Sequence, residues 1–246
     1  MQRFQQFHLG KLATPFQWLY SLPRIFFGMF YHGLAGMYDG VTSAISMGLW
    51  KEWLATTLPY LDGPNVLEIG PGPGHLQKML NQNGNLVFGL EESHQMIVQA
   101  RRRLHKNGNI SRLIRAIGQD IPFPDAIFDQ VVSTFPAEFI THPHTLSEIR
   151  RVLKPQGELV ILRFAWLSGR RWPYKATAWL FRLVGEAPID GLPEERLIAP
   201  FQEAGFQVRI DQLDLDSSGV LLLYCKQDVD SVPFLSLRRT EGVSGV

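Results

Sequence analysis

The tightest constraint on this chain is the stretch Val66-Leu67-Glu68-Ile69-Gly70-Pro71-Gly72-Pro73-Gly74-His75-Leu76. Three glycines alternate with two prolines directly behind a short apolar run. Such a run predicts a buried strand that reverses tightly into a helix. Glycine permits positive φ at such a turn and lets backbone N–H groups approach a ligand. A dinucleotide cradle prefers G-x-G-x-x-G, with a pyrophosphate on the helix N-terminus. Here the spacing is G-x-G-x-G, at Gly70, Gly72 and Gly74. The prolines remove two N–H donors, which suits a pyrophosphate poorly. Glu68 puts a negative charge at the strand end, unfavourable beside phosphates and favourable beside a cationic or amino-bearing ligand.

A second acidic position follows at Glu91, 17 residues after Gly74, within Leu90-Glu91-Glu92-Ser93. A carboxylate closing the second strand can accept hydrogen bonds from both hydroxyls of a ribose. An unphosphorylated nucleoside with a charged tail satisfies both acids, and S-adenosylmethionine is such a molecule.

Helices and strands alternate around this turn. Helices are expected over residues 42–58, from the glycine turn to about 81, from the Ser93 cap to about 106, and over 144–153. Strands are expected over 65–69, 86–90, 112–117, 128–133 and 158–164. The alternation implies an α/β fold with a parallel sheet and right-handed crossovers. A helix then finishes over 200–204 and is capped by Gly205. Strands over 206–215 and 220–225 follow, joined through Ser217-Ser218-Gly219 as an antiparallel hairpin. The chain is long enough for one α/β domain with extras, and 45% hydrophobic residues supply its core.

Three segments fall outside that domain core. Residues 1–38 lack Asp and Glu, carry Arg3, Lys11 and Arg24, and hold ten of the 28 aromatics. They read either as a helix packed on the domain or as a basic aromatic arm that touches membrane or covers a hydrophobic substrate. Residues 39–227 form the domain, and within it 165–192 is an insertion rich in Trp, Arg and Lys, read as a substrate lid. Residues 228–246 read as a flexible tail. No tryptophan lies between residues 60 and 165. The six flank the core, either as ordinary packing or as walls of a large apolar pocket.

A net charge of +1, from 24 basic and 23 acidic residues, gives no global sign of a nucleic-acid binder. The single cysteine, Cys225, excludes an intrachain disulfide and a cysteine-rich zinc site, and no metal is expected. Its apolar neighbours make it a core thiol. Residues 1–10 do not read as a secretory leader, and 25–38 are too short and interrupted for a membrane span. The expected location is cytoplasmic, with peripheral membrane contact through residues 1–38 as the alternative.

Residues 66–76 resemble motif I of the class I S-adenosylmethionine-dependent methyltransferases, especially the ubiquinone/menaquinone C-methyltransferase subgroup. Tyr38-Asp39, Ser46-x-Gly48, Trp50-Lys51, Ile121-Pro122-Phe123-Pro124-Asp125 with Phe128-Asp129, and Leu153-Lys154-Pro155-x-Gly157 extend the likeness. The resemblance implies a Rossmann-like seven-stranded sheet in the order 3-2-1-4-5-7-6, its last strand antiparallel, with helices on both faces. It implies S-adenosylmethionine as cofactor, with Glu68 and the loop of Gly70, Pro71, Gly72 and Gly74 on the methionine part. Glu91, with Glu92 beside it, would bind the ribose. Thr134 would lie near the sulfonium. Where the family has an Asp that holds the adenine amino group, this chain has Ile117, so the backbone of Gly118 and Gln119 is left to read the base.

Methyl transfer needs a general base only when the acceptor must lose a proton. His32, His75, His94, His142, His144 and Glu138 are the candidates, and none stands out. The basic aromatic segments favour a small apolar or amphipathic acceptor, quinone-like or lipid-like. Two other readings stay open: a methyltransferase-like binding protein with weakened catalysis, and a nicotinamide-dependent oxidoreductase, which the glycine spacing and the hairpin disfavour.

Overall fold

The computed structural model describes residue 43, residues 46–106, 108–168 and 194–228, and the backbone of 237–240. The arm at 1–38, most of the insertion at 165–192, His32 and most of the tail lie outside the described residues. The described helices are α1 (Trp50–Ala55), α2 (His75–Gln82), α3 (His94–Lys106), α4 (Pro143–Val152) and α5 (Glu194–Glu203). The strands are β1 (Asn65–Ile69), β2 (Leu86–Glu91), β3 (Leu113–Arg115), β4 (Phe128–Thr134), β5 (Leu153–Leu167), β6 (Phe206–Leu215), β7 (Ser218–Gln227) and β8 (Leu237–Thr240). Their order in the sheet is β3-β2-β1-β4-β5-β7-β6-β8.

The expected seven-stranded order is present, and β7 alone runs against its neighbours β5 and β6. The eighth strand was not foreseen. Four residues of the tail pair in parallel with β6, Ile210 opposite Leu237, and cover its outer edge.

Local chemistry explains where the elements end. The expected helix over 42–58 is broken: residue 43 is helical, Met47 and Gly48 both take positive φ, at 52° and 87°, and α1 begins at Trp50. A separate 3-10 turn at Leu58–Tyr60 holds Pro59 near its start. Pro143 opens α4, where its missing N–H costs nothing, and the His142 side chain accepts from the His144 N–H as the cap. β5 begins at Leu153 rather than Glu158, since Leu153 pairs with Phe128, and a register irregularity then separates Phe128 from Gln130. β3 shrinks to three residues because only β2 supports it. The hairpin turn is also tighter than expected: Leu215 pairs with Ser218, leaving Asp216-Ser217 between the strands.

The core has two main layers, one on each sheet face. One gathers Leu67, Ile69, Leu90, Phe128, Val131 and Ile161 with Ile149 of α4 and Phe201 of α5. The other gathers Val66, Val87, Val132, Val160 and Leu162 with Trp53 of α1 and Leu76 and Leu80 of α2. Cys225 is fully buried in the first layer, and burial pushes its thiol pKa far up, as a core thiol requires. The Ile121–Asp125 stretch is tied to α4 by Arg151, which donates to the Ile121 and Phe123 carbonyls and to Asp125. No helix among the described residues is long and apolar enough to cross a membrane.

Candidate functional site

Strand parity assembles the site. Leu67 and Ile69 face one core layer and Val66 the other, so Glu68 turns to the side of Val66 and Leu76. The same alternation puts Glu91 on the side of Val87 and Thr134 on the side of Val132. Three polar side chains thus meet at the C-terminal ends of adjacent strands, on one face. Strand order reverses between β1 and β4, and open α/β sheets bind ligands in the crevice outside such a reversal. A shallow, open cleft lies there. Glu68 and Thr134 line it together with Pro71, Gly72, Pro73, His75 and Leu76 of the loop and α2, and Trp50 and Leu54 of α1.

The loop backbone is left-handed at each glycine: φ is 74° at Gly70, 51° at Gly72 and 80° at Gly74. Their uses differ. A Cβ on Gly72 would meet nothing within 4 Å, so the loop faces open space there. A Cβ on Gly74 would come 2.9 Å from the Cβ of Ala100. Gly74 therefore lets α2 and α3 touch, caps α2, and does not line the cleft.

The two acids also divide the work. Glu91 is 2% exposed, and its Oε2 accepts from the Gly72 N–H at 3.0 Å while Oε1 accepts from the Ser93 N–H at 2.8 Å. It fixes the glycine loop to the end of β2. Glu68 is 1% exposed, and its Oε2 has no hydrogen-bond partner among the described residues. Burial pushes its pKa up to about 8, and the charge of Glu91 adds to that, while Gln77 opposes it. A buried carboxyl oxygen without a partner costs free energy until a donor arrives.

The remaining predicted residues sit around this centre. Gly70 donates to the Leu90 carbonyl at 2.9 Å and lies beside the ring of Phe139. Gly118 is buried against Thr145 and the same Phe139 ring, with Gln119 half-buried next to it. Phe139 therefore bridges the loop after β3 and the glycine turn. Ile117 is 44% exposed. Glu92 is solvent-exposed, and its carbonyl accepts from Arg115 Nε at 3.0 Å. Glu68, Pro71, Gly72 and Thr134 thus share the cleft, Glu91 supports it, and Glu92, Gly118 and Gln119 lie outside its lining.

Of the described base candidates, His75 alone lines the cleft. His142 is committed to capping α4, with the His144 ring 5.4 Å away. Sequence reasoning did not single out Leu54, while Trp50 was among the tryptophans read as candidate pocket walls. The flanking tryptophans were a usable signal for Trp50. No local pattern announced the conformation of Phe135, which follows Thr134 with φ at 48° and stacks on Trp50 at 4.6 Å.

Comparison with known proteins agrees with this geometry. A methyltransferase-domain family matches residues 67–161. The ubiquinone/menaquinone biosynthesis C-methyltransferase UbiE of Paraburkholderia phymatum is 34% identical over 217 residues, 79% of this chain and 88% of the relative. The enzyme of the same name from Bordetella avium is 33% identical over 188 residues, 70% of this chain and 73% of the relative. Among solved structures, a putative S-adenosyl-L-methionine-dependent methyltransferase from Methanococcus maripaludis shares the fold, with a TM-score of 0.59 over 80% of this chain and 94% of that one at 18% identity. The chain belongs to the class I S-adenosylmethionine-dependent methyltransferases, among the relatives of the ubiquinone/menaquinone C-methyltransferases.

Proposed function

We propose that this protein transfers a methyl group from S-adenosylmethionine to a small apolar or amphipathic acceptor, quinone-like or lipid-like. The observation that carries the reading is the unpartnered Oε2 of Glu68, buried at the cleft beside a glycine loop with open space over Gly72. Once ionised, that oxygen calls for an ammonium donor and would repel a phosphate. The residues present therefore fit the cofactor. Glu68 would hold the amino group of its methionine part, with Gly70, Pro71 and Gly72 against that tail. Glu91, which fixes Gly72, would face the ribose. Gly118, Gln119 and the apolar face of Ile117 would take the base. When bound, S-adenosylmethionine supplies an activated methyl carbon, so the chain mainly aligns the acceptor and excludes water. Thr134 and Trp50, which line the same cleft, would do that.

The names of the relatives support a quinone-like acceptor. Peripheral membrane contact through residues 1–38, and a lid at 165–192, belong to the same proposal. The test is calorimetric titration with S-adenosylmethionine and with NADH. Binding of the first alone is expected; binding of NADH alone would sink the reading. A second reading, a binding protein with weakened catalysis, is favoured by Ile117 alone. Methyl transfer from labelled cofactor into a lysate acceptor pool would exclude it.

A further inference from the structure

Phe135 occupies a backbone conformation that suits glycine. Its φ of 48° is left-handed, where a bulky side chain crowds its own carbonyl. Such outliers persist only where the surroundings over-determine them, and they cluster at functional sites. The surroundings here are specific. The Phe135 N–H donates to the Leu162 carbonyl at 2.7 Å, which locks the chain at the end of β4. The ring stacks on Trp50 at 4.6 Å and 30°, and lies 6.2 Å from Trp53. Trp53 is itself pinned, its indole N–H donating to Ser218 Oγ at 3.0 Å. Trp50 and Thr134, the partner and the chain neighbour of Phe135, both line the cleft.

The sheet assigns this aromatic group a side. Glu68 and Glu91, the groups suited to the methyl donor, close β1 and β2. Phe135 follows β4, on the opposite side of β1. The half-buried ring reaches the cleft through its stacking partner Trp50 and its chain neighbour Thr134, which line it from the β4 side.

We infer that Phe135, held by Trp50, is the specificity-determining residue for the methyl acceptor, selecting a flat conjugated ring over a flexible chain by stacking. The inference rests on the proposed function, because it needs the donor to lie on the Glu68 side. A rigid aromatic face gains most from a second flat ring and loses little entropy in binding it. A flexible alkyl chain finds apolar contact in many places and depends less on one ring.

The test uses the full chain with S-adenosylhomocysteine, then 2-naphthol as the flat probe and n-octanol as the chain probe. Wild type is expected to bind 2-naphthol in the presence of S-adenosylhomocysteine. Phe135→Gly, which fits the backbone, should lose about tenfold in 2-naphthol affinity. Its affinity for n-octanol and S-adenosylhomocysteine should hold within about twofold, and its melting temperature within about 3 °C. Phe135→Tyr should restore 2-naphthol binding and Phe135→Leu should not. Unchanged 2-naphthol binding in Phe135→Gly overturns the inference, as does an equal loss of both probes or a parallel loss of S-adenosylhomocysteine. Wild type that binds S-adenosylhomocysteine and no 2-naphthol overturns the inference alone. Wild type that binds neither overturns the proposed function with it.

Discussion

The two ends of β4 carry aromatic and polar groups of the same kinds, arranged for opposite purposes. At its start, Phe128 is fully buried and meets Phe88 and Phe123 edge to face, at 5.6 Å and 5.0 Å. Gln130 beside it is saturated. Its Oε1 accepts from the Gly63 N–H, and its Nε2 donates to the Tyr60 carbonyl, Asp62 and Glu158. Tyr224 adds a hydrogen bond to Glu158, and Lys154 pairs with Asp129 at 2.7 Å. At the other end, the neighbouring β1 carboxyl Glu68 keeps an unpartnered oxygen, and Phe135 is backbone-strained. One end spends its groups on the fold. The other leaves them unsatisfied at a cost in stability, as the proposed donor site requires.

Substitutions along this axis test the contrast. The largest effect is expected from Phe128→Ala, which removes a fully buried ring and should cost about 3–5 kcal/mol in urea denaturation. Phe135→Gly should cost under about 1 kcal/mol, since relief of the left-handed strain offsets the lost contacts. Equal costs would erase the distinction between the two ends.

Gln130→Leu should follow at roughly 2–3 kcal/mol, because it strands the Gly63 N–H and one oxygen of Glu158. Calorimetric melting of the unliganded chain is the measurement. A near-neutral result would mean that water replaces the network.

Glu68→Gln should act in the other direction. The folded chain holds the Glu68 proton up to about pH 8, against an ordinary value of 4.5. The folded state binds more protons across that window, so wild-type stability falls as pH rises from 4.5 towards 8. The substitution removes this contribution and should gain about 1 kcal/mol or more at pH 8 relative to pH 5. It should also weaken S-adenosylhomocysteine binding by about tenfold. Stability curves with the same pH slope in both proteins would show that Glu68 is not buried as an acid.

The smallest effect is expected at the surface of the saturated end. Burial raises the Asp129 pKa, but bonds from Lys154 and the Asn65 N–H outweigh it and hold the carboxyl below its usual range. That contribution is present at neutral pH and fades as pH falls through the acid range. Lys154 is 38% exposed, so screening leaves Lys154→Ala at about 0.5 kcal/mol, with a weaker loss of stability in acid.

Much of this was legible in the chain, for reasons of local chemistry. Alternate glycines behind an apolar run specify a strand, a left-handed turn and a helix, and φ at Gly70, Gly72 and Gly74 follows. The order of apolar runs and turn residues was enough for strands β1 to β7. Glu68 and Glu91 were legible because strand ends at a glycine turn have few alternatives. The separate duty of Gly74 was not, since it depends on Ala100, a residue in another helix. The break before α1 was not legible because Met47 takes a positive φ that its side chain does not advertise.

By itself, then, the sequence determined the succession of strands and helices, the glycine turn and the two acids at strand ends, because periodicity and backbone preference act within a few residues; the sheet order came through the family resemblance. Tertiary structure alone decided which acid is satisfied and which is held in reserve. It closed Glu91 onto the N–H groups of Gly72 and Ser93, and it buried Glu68 with one oxygen unpaired. It also placed Phe135, an unremarkable letter in the chain, in a glycine conformation against Trp50. Burial and stacking are set by residues distant in sequence, so no local pattern could announce them.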